Sequence, residues 1–268
     1  MHARDLLKQL GLRAKESWGQ NFLSDEGVLA DIADACRLSK GETVVELGPG
    51  LGSLTRALLA TGARVVAVER DRDMVAALEG MKLDGLTVVA GNAAQTEFAK
   101  VAGVDDVVVA GNLPYHLSSP ILFQVLEQAS SVKRAVFTLQ KEVVERLAAE
   151  PGGRDYGLLT VLLGLRYHAE KVMDLPASYF HPPPKVDSAV AVFERLAKPR
   201  AEVTSDARFK KVVKAGFAHR RKTLLNSLKS EPSLGDVQAA LERAGIDGKR
   251  RAETLSVEEF AALERSLP

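Results

Sequence analysis

Cysteine is nearly absent from this sequence, since Cys36 is the only one among 268 residues. No internal disulfide can form, and a zinc site built from several cysteines is excluded. Long apolar runs are also missing, because none approaches the ~20 residues that a membrane span needs. The first ten residues mix charged and apolar side chains and do not resemble a secretory signal, although a basic amphipathic transit peptide is an alternative. We therefore expect a cytoplasmic protein without membrane association.

A strong charge of one sign is lacking too, because the formal net charge is only +1. The distribution of charge is uneven, however. Residues 181–268 carry 17 Lys and Arg against 12 Asp and Glu, whereas residues 1–180 carry 19 against 23. A basic C-terminal third favours a surface for a polyanion there, and a solvated helical face is the alternative.

Short runs rich in β-branched residues alternate with amphipathic stretches through the first two-thirds of the chain. Strands are predicted at residues 43–47, 64–69, 86–90, 106–111, 134–140, 165–172 and 188–195. Helices are predicted between most of them, at residues 28–36, 54–59, 73–78, 121–128 and 141–149. This alternation predicts an α/β fold with a doubly wound, mainly parallel sheet of seven strands and helices on both faces.

The pattern changes near residue 200, after which no run typical of a strand remains. Helical spacing recurs at residues 208–218, 223–229, 237–244 and 257–267. The sequence therefore predicts two domains, an α/β domain over residues 1–199 and a small helical domain over residues 200–268.

Residues 46–52 read Glu-Leu-Gly-Pro-Gly-Leu-Gly and lie where the first of these strands would meet a helix. The glycines at 48, 50 and 52 allow a backbone to pass close to a ligand. A dinucleotide-binding turn would need glycine at position 53, which is serine. The spacing instead resembles the first motif of S-adenosylmethionine-dependent methyltransferases, although by itself it also fits a plain strand-to-helix turn.

Polar residues end or follow the next three predicted strands at intervals of about one strand–helix unit. They are Glu69, Asn92 and Asn112. In a doubly wound sheet these strand ends share one edge, where ligands bind. The Glu69 carboxylate suits the two hydroxyls of a ribose, and the Asn92 amide can pair with an adenine edge. Together with Gly48 beside the methionine part, these positions predict S-adenosyl-L-methionine as cofactor.

Residues 112–115, Asn-Leu-Pro-Tyr, resemble a motif of enzymes that methylate exocyclic amino groups. The lone pair of such a group is delocalised into the ring, so a site can help by accepting its N–H bonds. The side-chain oxygen of Asn112 and the carbonyl of Leu113 can accept them, while Pro114 stiffens the turn and Tyr115 stacks on the base. A strand-ending turn with a buried tyrosine is the alternative.

A proline-rich segment, residues 180–188, precedes the last predicted strand and reads Phe-His-Pro-Pro-Pro-Lys-Val-Asp-Ser. An extended loop of this composition can place Phe180 on the other face of the same base. A proline-stiffened connector is the alternative.

Four segments occur in one order along the chain: residues 20–23 (Gln-Asn-Phe-Leu), 46–55, 112–115 and 180–188. Over about residues 19–188 the chain resembles the ribosomal small-subunit RNA adenine dimethyltransferase family (KsgA, also RsmA). The resemblance implies a class I, Rossmann-like methyltransferase. It also implies dimethylation of two adjacent adenosines in a hairpin loop near the 3′ end of small-subunit (16S) ribosomal RNA, within an assembling subunit.

The family pattern also assigns residues. Cofactor contacts fall on Asn21, Leu23, Gly48, Gly50, Glu69, Asn92 and Asn112, and the base falls between Asn112, Leu113, Pro114, Tyr115 and Phe180. The family usually has Asp where this chain has Asn92, whose oxygen can still accept a hydrogen bond. We expect a monomer that contacts ribosomal phosphates through a basic cluster in the C-terminal domain: Lys210, Lys211, Lys214, Arg220, Arg221 and Lys222.

Three other functions fit parts of the pattern. A large-subunit adenine methyltransferase of the macrolide-resistance type shares the fold and a similar Asn-Leu-Pro-Tyr motif, but the segment at residues 180–188 favours the small-subunit family. A small-molecule methyltransferase would not need a basic C-terminal domain. A non-catalytic assembly or transcription factor would not need Glu69 and Asn112. The sequence shows neither a serine-hydrolase elbow nor a zinc-protease motif, and no metal is expected.

Overall fold

A computed structural model describes residues 3–268, and the chain divides into two compact units. Among the described residues, the first unit comprises residues 3–144 and 170–195, and the second comprises residues 145–169 and 196–268. The second unit thus includes a segment from the middle of the chain as well as the C-terminal helices. The functional boundary at residues 199 and 200 stays a prediction.

Helices largely alternate with strands from residue 3 to residue 195. The helices are α1 Ala3–Gln9, α2 Glu26–Ala35, α3 Ser53–Ala60, α4 Arg72–Gly80, α5 Phe98–Ala102, α6 Ser118–Glu127, α7 Lys141–Leu147 and α8 Leu158–Gly164. The strands are β1 Phe22–Leu23, β2 Thr43–Leu47, β3 Arg64–Glu69, β4 Leu86–Ala90, β5 Val107–Asn112, β6 Val132–Gln140, β7 Tyr167–Leu175, β8 Phe180–His181 and β9 Ser188–Arg195.

Seven of the strands form one sheet in the order β4-β3-β2-β5-β6-β9-β7. The ladders from β4 through β6 are parallel, and β9 runs antiparallel to β6. The strand order reverses between β2 and β5, which is the switch point where such sheets bind ligands. The predicted fold class, a doubly wound and mainly parallel sheet, is confirmed.

The sheet forms because its central strands are apolar on both faces. Val44, Val45 and Leu47 of β2 and Val109 of β5 are fully buried, as expected for strands covered by helices on each side. The helix α2 is capped by Asp25, whose carboxylate accepts a hydrogen bond from the Val28 N–H at 2.9 Å. Its apolar face then packs against the sheet beside α3.

The C-terminal helices are α9 Asp206–Phe217, α10 Leu224–Leu228, α11 Val237–Ala244 and α12 Val257–Ser266. Phe209, Leu224 and Phe260 are almost completely buried within this unit. Predicted and observed helix ends agree within about two residues. Across the described residues 3–268, no helix has the length and apolar character required to cross a membrane.

Several short elements differ from the prediction. The pair β1–β8 is antiparallel and only two residues long, so it leaves no alternating pattern in the sequence. The helix α8 is almost entirely apolar and therefore lacks a helical period. The strand predicted at residues 165–172 extends from Tyr167 to Leu175, because polar and apolar residues alternate beyond Val172.

Candidate active site

A cleft opens at the carboxyl edge of the sheet, where the strand order reverses. The loops after β2, β3, β4 and β5 form it, together with residues 17–23 and one residue of β8. All the residues predicted for the cofactor and the base line this one cleft: Asn21, Leu23, Gly48, Gly50, Glu69, Asn92, Asn112, Leu113, Pro114, Tyr115 and Phe180.

The glycine-rich turn after β2 serves two different purposes. Gly48 has a φ of +67°, and a side-chain carbon there would meet no atom within 4 Å. The space beside Gly48 is therefore open to a ligand. Gly50 has a φ of +54°, but a side-chain carbon there would lie 2.8 Å from a ring carbon of Phe22. Glycine at position 50 is thus required by the packing of β1 as well as by the turn.

The carboxylate of Glu69 is fixed by backbone donors. One oxygen accepts from the Gly50 N–H at 3.1 Å, and the other accepts from the N–H groups of Arg70 and Asp71, each at 2.8 Å. Burial raises the pKa of Glu69, and the three backbone hydrogen bonds oppose that shift. Three of the roughly four lone-pair sites of the carboxylate are therefore used, and the oxygen that accepts from Gly50 keeps one for a hydroxyl donor of a ligand.

Asn92 follows β4 and caps a 3-10 turn at Ala93–Gln95. Its side-chain oxygen accepts from the Ala94 N–H at 3.1 Å. Only the oxygen of an amide can accept, so this bond fixes which end of the side chain is the oxygen. The NH₂ group and the second lone pair of that oxygen are the parts left for a ligand.

Asn112 ends β5, and its side-chain NH₂ donates to the carbonyl oxygen of Asn21 at 2.8 Å. This bond fixes the orientation of the amide, because only the nitrogen can donate. Its oxygen is therefore the atom available as an acceptor. The side chain of Asn21 in turn donates to the Gly19 carbonyl at 3.2 Å, which holds its own loop in place.

Tyr115 is half-buried and is held through its hydroxyl. The hydroxyl lies 2.8 Å from the hydroxyl oxygen of Ser188, which is fully buried at the start of β9. Burial raises the pKa of Tyr115, so the ring stays neutral. Before it, Leu113 is buried and donates its N–H to the Thr138 carbonyl at 3.2 Å, while Pro114 starts the 3-10 turn that carries Tyr115.

Phe180 reaches the cleft from β8. Its backbone pairs with Leu23, and His181 pairs with Phe22. This short ladder therefore joins the segment that precedes β2 to the proline-rich segment that precedes β9. Phe180 is 5% exposed, so the free cleft presents little of its ring.

A group of side chains that contact the cleft-lining residues Trp18 and Gln20 was not predicted from the sequence. The Lys15 ammonium contacts the carboxylates of Asp71 at 2.6 Å and Asp73 at 2.7 Å, and the Gln20 amide donates to Asp71 at 2.9 Å. Burial of Asp71 opposes its ionisation, but Lys15 and Gln20 outweigh that effect and lower its pKa. The aromatic ring of Trp18 lies 5.1 Å from both the Lys15 ammonium and the Arg70 guanidinium.

Glu46, also in the cleft wall, is fully buried and accepts a hydrogen bond from the Thr55 hydroxyl at 2.6 Å. Burial raises its pKa from 4.5 to about 8, although the Thr55 bond opposes the shift. The folded protein thus holds a proton that the unfolded chain releases above pH 4.5. We expect the free energy of unfolding to fall as pH rises from 4.5 to about 8, by up to about 1.4 kcal/mol per pH unit.

Glu46→Gln keeps the shape and the acceptor for Thr55 but has no proton to lose. Urea unfolding between about pH 5 and pH 9 should show a flatter pH dependence for this variant. Glu79→Gln, at an exposed position on α4, is the control and should keep the slope of the unsubstituted protein. An unchanged slope in Glu46→Gln would contradict the assigned protonation of Glu46.

The basic residues predicted for RNA lie in the second unit. Lys210, Lys211 and Lys214 of α9 line one shallow depression with Glu231. Lys211 donates to the Ser233 hydroxyl at 3.0 Å. The other three, Arg220, Arg221 and Lys222, are exposed in the loop between α9 and α10 and do not line that depression.

Comparison with known sequences finds a matching family and named relatives. The model of the family described as ribosomal RNA adenine dimethylase matches residues 11–267. The protein named ribosomal RNA small subunit methyltransferase A of Myxococcus xanthus (strain DK1622) is 68% identical over 267 residues, covering 98% of this chain and 94% of that protein. A protein of the same name from Anaeromyxobacter sp. (strain K) is 51% identical over 278 residues, covering 98% and 97%.

Solved structures agree with this similarity. A dimethyladenosine transferase from Plasmodium falciparum superposes with a TM-score of 0.74 at 27% identity, covering 90% of this chain and 95% of that one. The 23S rRNA methyltransferase ErmE superposes with a TM-score of 0.71 at 28% identity, covering 92% and 99%. Because the family model spans nearly the whole sequence, this chain belongs to the ribosomal RNA adenine dimethylase family.

Proposed function

We propose that this chain transfers methyl groups from S-adenosylmethionine to two adjacent adenosines near the 3′ end of small-subunit ribosomal RNA, giving N(6),N(6)-dimethyladenosine. The orientation of Asn112 carries this proposal. Its NH₂ is engaged by the Asn21 carbonyl, so its oxygen is the group left to accept from an amino group. A site for an adenine amino group needs such an acceptor, because that nitrogen is a poor nucleophile until its N–H bonds are engaged.

The cleft fits S-adenosylmethionine, the methyl donor of this family. We assign the ribose hydroxyls to Glu69, the methionine part to the open space beside Gly48, and the adenine edge to Asn92. When bound, the cofactor supplies a methyl group activated by a sulfonium.

The residues around the base then align it. The Asn112 oxygen and the Leu113 carbonyl accept from the amino group, and the base stacks on the Tyr115 ring, with the small exposed part of the Phe180 ring on its other side. No ionised base is required, because the amino proton becomes acidic as the new bond forms. Rate enhancement comes from alignment and from acceptors already in place. After the first transfer one N–H is lost, so the site must tolerate a methyl group beside Asn112 and Leu113.

The substrate is proposed to be an assembling small subunit, on which a monomer of this chain acts in the cytoplasm. Proteins from Myxococcus and Anaeromyxobacter at 51–68% identity carry a small-subunit name, whereas ErmE, named for 23S rRNA, is 28% identical. Transfer of a labelled methyl group to small and large subunits, both isolated without the modification and offered in parallel, tests this function. Label found only in large-subunit RNA would favour the rival methyltransferase, and no transfer at all would favour a non-catalytic factor.

The basic cluster of the second unit is proposed to contact phosphates of the ribosomal particle. Changing Arg220, Arg221 and Lys222 to Gln should weaken particle binding and lower the log–log salt slope by up to roughly one unit per lost contact. All three side chains are exposed, so the fold should be unaffected. Cofactor affinity measured by calorimetry should stay constant. An unaltered salt slope would show that these residues are only a solvated surface and do not contact phosphates.

The role of Asn92 has its own test. Asn92→Asp keeps a cap for the Ala94 N–H and adds a second, charged oxygen that can accept from the adenine amino group. We expect the variant to bind S-adenosylhomocysteine about 5-fold more tightly in calorimetry. Asn92→Ser, which can cap but reaches less far, should bind more weakly than the unsubstituted chain. Loss of affinity in Asn92→Asp would show that the NH₂ of Asn92 is the group the ligand uses.

A further inference from the structure

A second depression lies in the first unit, outside the cleft. Its walls come from α1, from the turn that follows α1, and from the end of β8. The residues that line it are Arg4, Leu7, Lys8, Gly11, Leu12, Arg13, Ala14, His181 and Pro182.

The helix α1 forms a fixed wall of this depression. The Ala3 N–H donates to the Ser24 hydroxyl at 3.1 Å. Leu7 is 5% exposed and belongs to a buried cluster with Phe22 and Leu51. The same Phe22 packs against Gly50 of the glycine-rich turn. The position of α1 is therefore tied to the elements that build the cleft.

The charged side chains that line the depression are all basic. Arg4 and Lys8 lie one helical turn apart on α1, which places them on one face of the helix, and Arg13 follows in the turn. All three are exposed. Within residues 3–268, none of the three forms an ion pair, and no acidic residue lines the depression. Asp5 is exposed on α1 but is not among the lining residues.

The depression adjoins the proposed acceptor site. His181 lines it, and the preceding residue, Phe180, lines the cleft. On the neighbouring strand β1, Phe22 pairs with His181 and Leu23 with Phe180. The two-residue pairing of β1 with β8 thus lies between the proposed base site, which Phe180 lines, and the depression with its three cationic side chains.

We propose that this depression binds the phosphates of the single-stranded RNA on one side of the adenosine held in the cleft. The inference rests on the proposed function, because it takes the substrate to be an RNA whose target base leaves the strand to enter the cleft. A base in the cleft leaves its flanking phosphates outside, next to Phe180. Three cations and a histidine at that place match a polyanion and carry no information about base sequence.

The test changes Arg4, Lys8 and Arg13 to Gln together. The probe is a fluorescein-labelled hairpin RNA with two adjacent adenosines in its loop, and binding is followed by anisotropy between about 50 and 200 mM KCl. For binding to single-stranded RNA, each phosphate contact that is removed lowers the slope of log affinity against log salt concentration by about 0.7 units. We expect the triple variant to lose about 2 units of slope and to bind roughly 10-fold more weakly at the lower salt concentration.

A matched control removes the same charge elsewhere in the same unit. Lys40, Arg64 and Lys82 are exposed and lie before β2, at the start of β3 and after α4, near the amino edge of the sheet. Changing these three to Gln should leave the slope unaltered. Both triple variants should bind S-adenosylhomocysteine as the unsubstituted chain does, which shows that the fold and the cleft are intact.

An unaltered salt slope in the Arg4, Lys8 and Arg13 variant would overturn the proposal. An equal loss of slope in the control variant would also overturn it, because the effect would then be one of overall charge. If the unsubstituted chain binds the hairpin but transfers no methyl group to ribosomal RNA, the proposed function fails, while the salt slopes still decide whether this depression contacts RNA.

Discussion

Replacing Asn112 with Ala should lower the turnover number by about 100-fold or more, with a much smaller loss of RNA affinity. The structure leaves the amide oxygen available as an acceptor. In the proposed reaction its contact with the amino group strengthens as positive charge develops there. Loss of one preorganised hydrogen-bonding group at a reacting centre commonly costs two to three orders of magnitude, roughly 10²–10³ in turnover. Single-turnover methyl transfer with a hairpin RNA, beside anisotropy on the same RNA, separates the two quantities.

Two substitutions of Tyr115 serve as controls for this result. Tyr115→Phe removes only the hydroxyl that contacts Ser188 and keeps the ring, so RNA capture should change little. Tyr115→Ala removes the stacking surface, which is worth ~1–3 kcal/mol per base, so affinity should fall with turnover. If Asn112→Ala weakened RNA binding as much as turnover, its role would be structural, through the bond to the Asn21 carbonyl.

Replacing Glu69 with Ala should nearly abolish binding of S-adenosylmethionine. Hydrogen bonds to a charged acceptor contribute about 1.5–3 kcal/mol each, which corresponds to roughly 10- to 150-fold in affinity per bond. The substitution also leaves the N–H groups of Gly50, Arg70 and Asp71 without their acceptor, so the turn beside the ligand loses its anchor. Calorimetry with S-adenosylhomocysteine measures the effect.

Glu69→Gln separates the two contributions of this side chain. Its oxygen can still accept from Arg70 and Asp71, but its NH₂ would face the Gly50 N–H. We expect an affinity between those of the unsubstituted chain and Glu69→Ala. Asp73→Asn, in the first turn of α4 but outside the cleft lining, should bind the ligand normally. An unchanged affinity of Glu69→Ala for S-adenosylhomocysteine would show that Glu69 does not bind the ribose hydroxyls.

The positions of the site residues could be predicted from sequence because they obey a simple geometric rule. Glu69, Asn92 and Asn112 each follow or end a strand of a parallel sheet, and the carboxyl ends of such strands meet at one edge. Each of these strands also has a run of valines, so its end could be located to within about two residues.

What could not be predicted depends on contacts between distant segments. The Lys15 contacts with Asp71 and Asp73 join segments that lie far apart in the sequence, and neither segment has a motif that indicates the other. The orientations of the Asn92 and Asn112 amides also come only from three-dimensional neighbours, Ala94 N–H and the Asn21 carbonyl. The β1–β8 pair could not be predicted for the same reason, because it joins Leu23 to Phe180, which lie far apart in the sequence.

Formation of dimethyladenosine in small-subunit RNA is tested most directly by mass spectrometry. Unmodified small subunits are reacted to completion with the purified chain and S-adenosylmethionine, and the nucleosides and fragments of their RNA are then analysed. We expect two adjacent N(6),N(6)-dimethyladenosines near the 3′ end. A product that stops at monomethyladenosine, or that carries the methyl group on a ring carbon or another base, would contradict the proposed reaction.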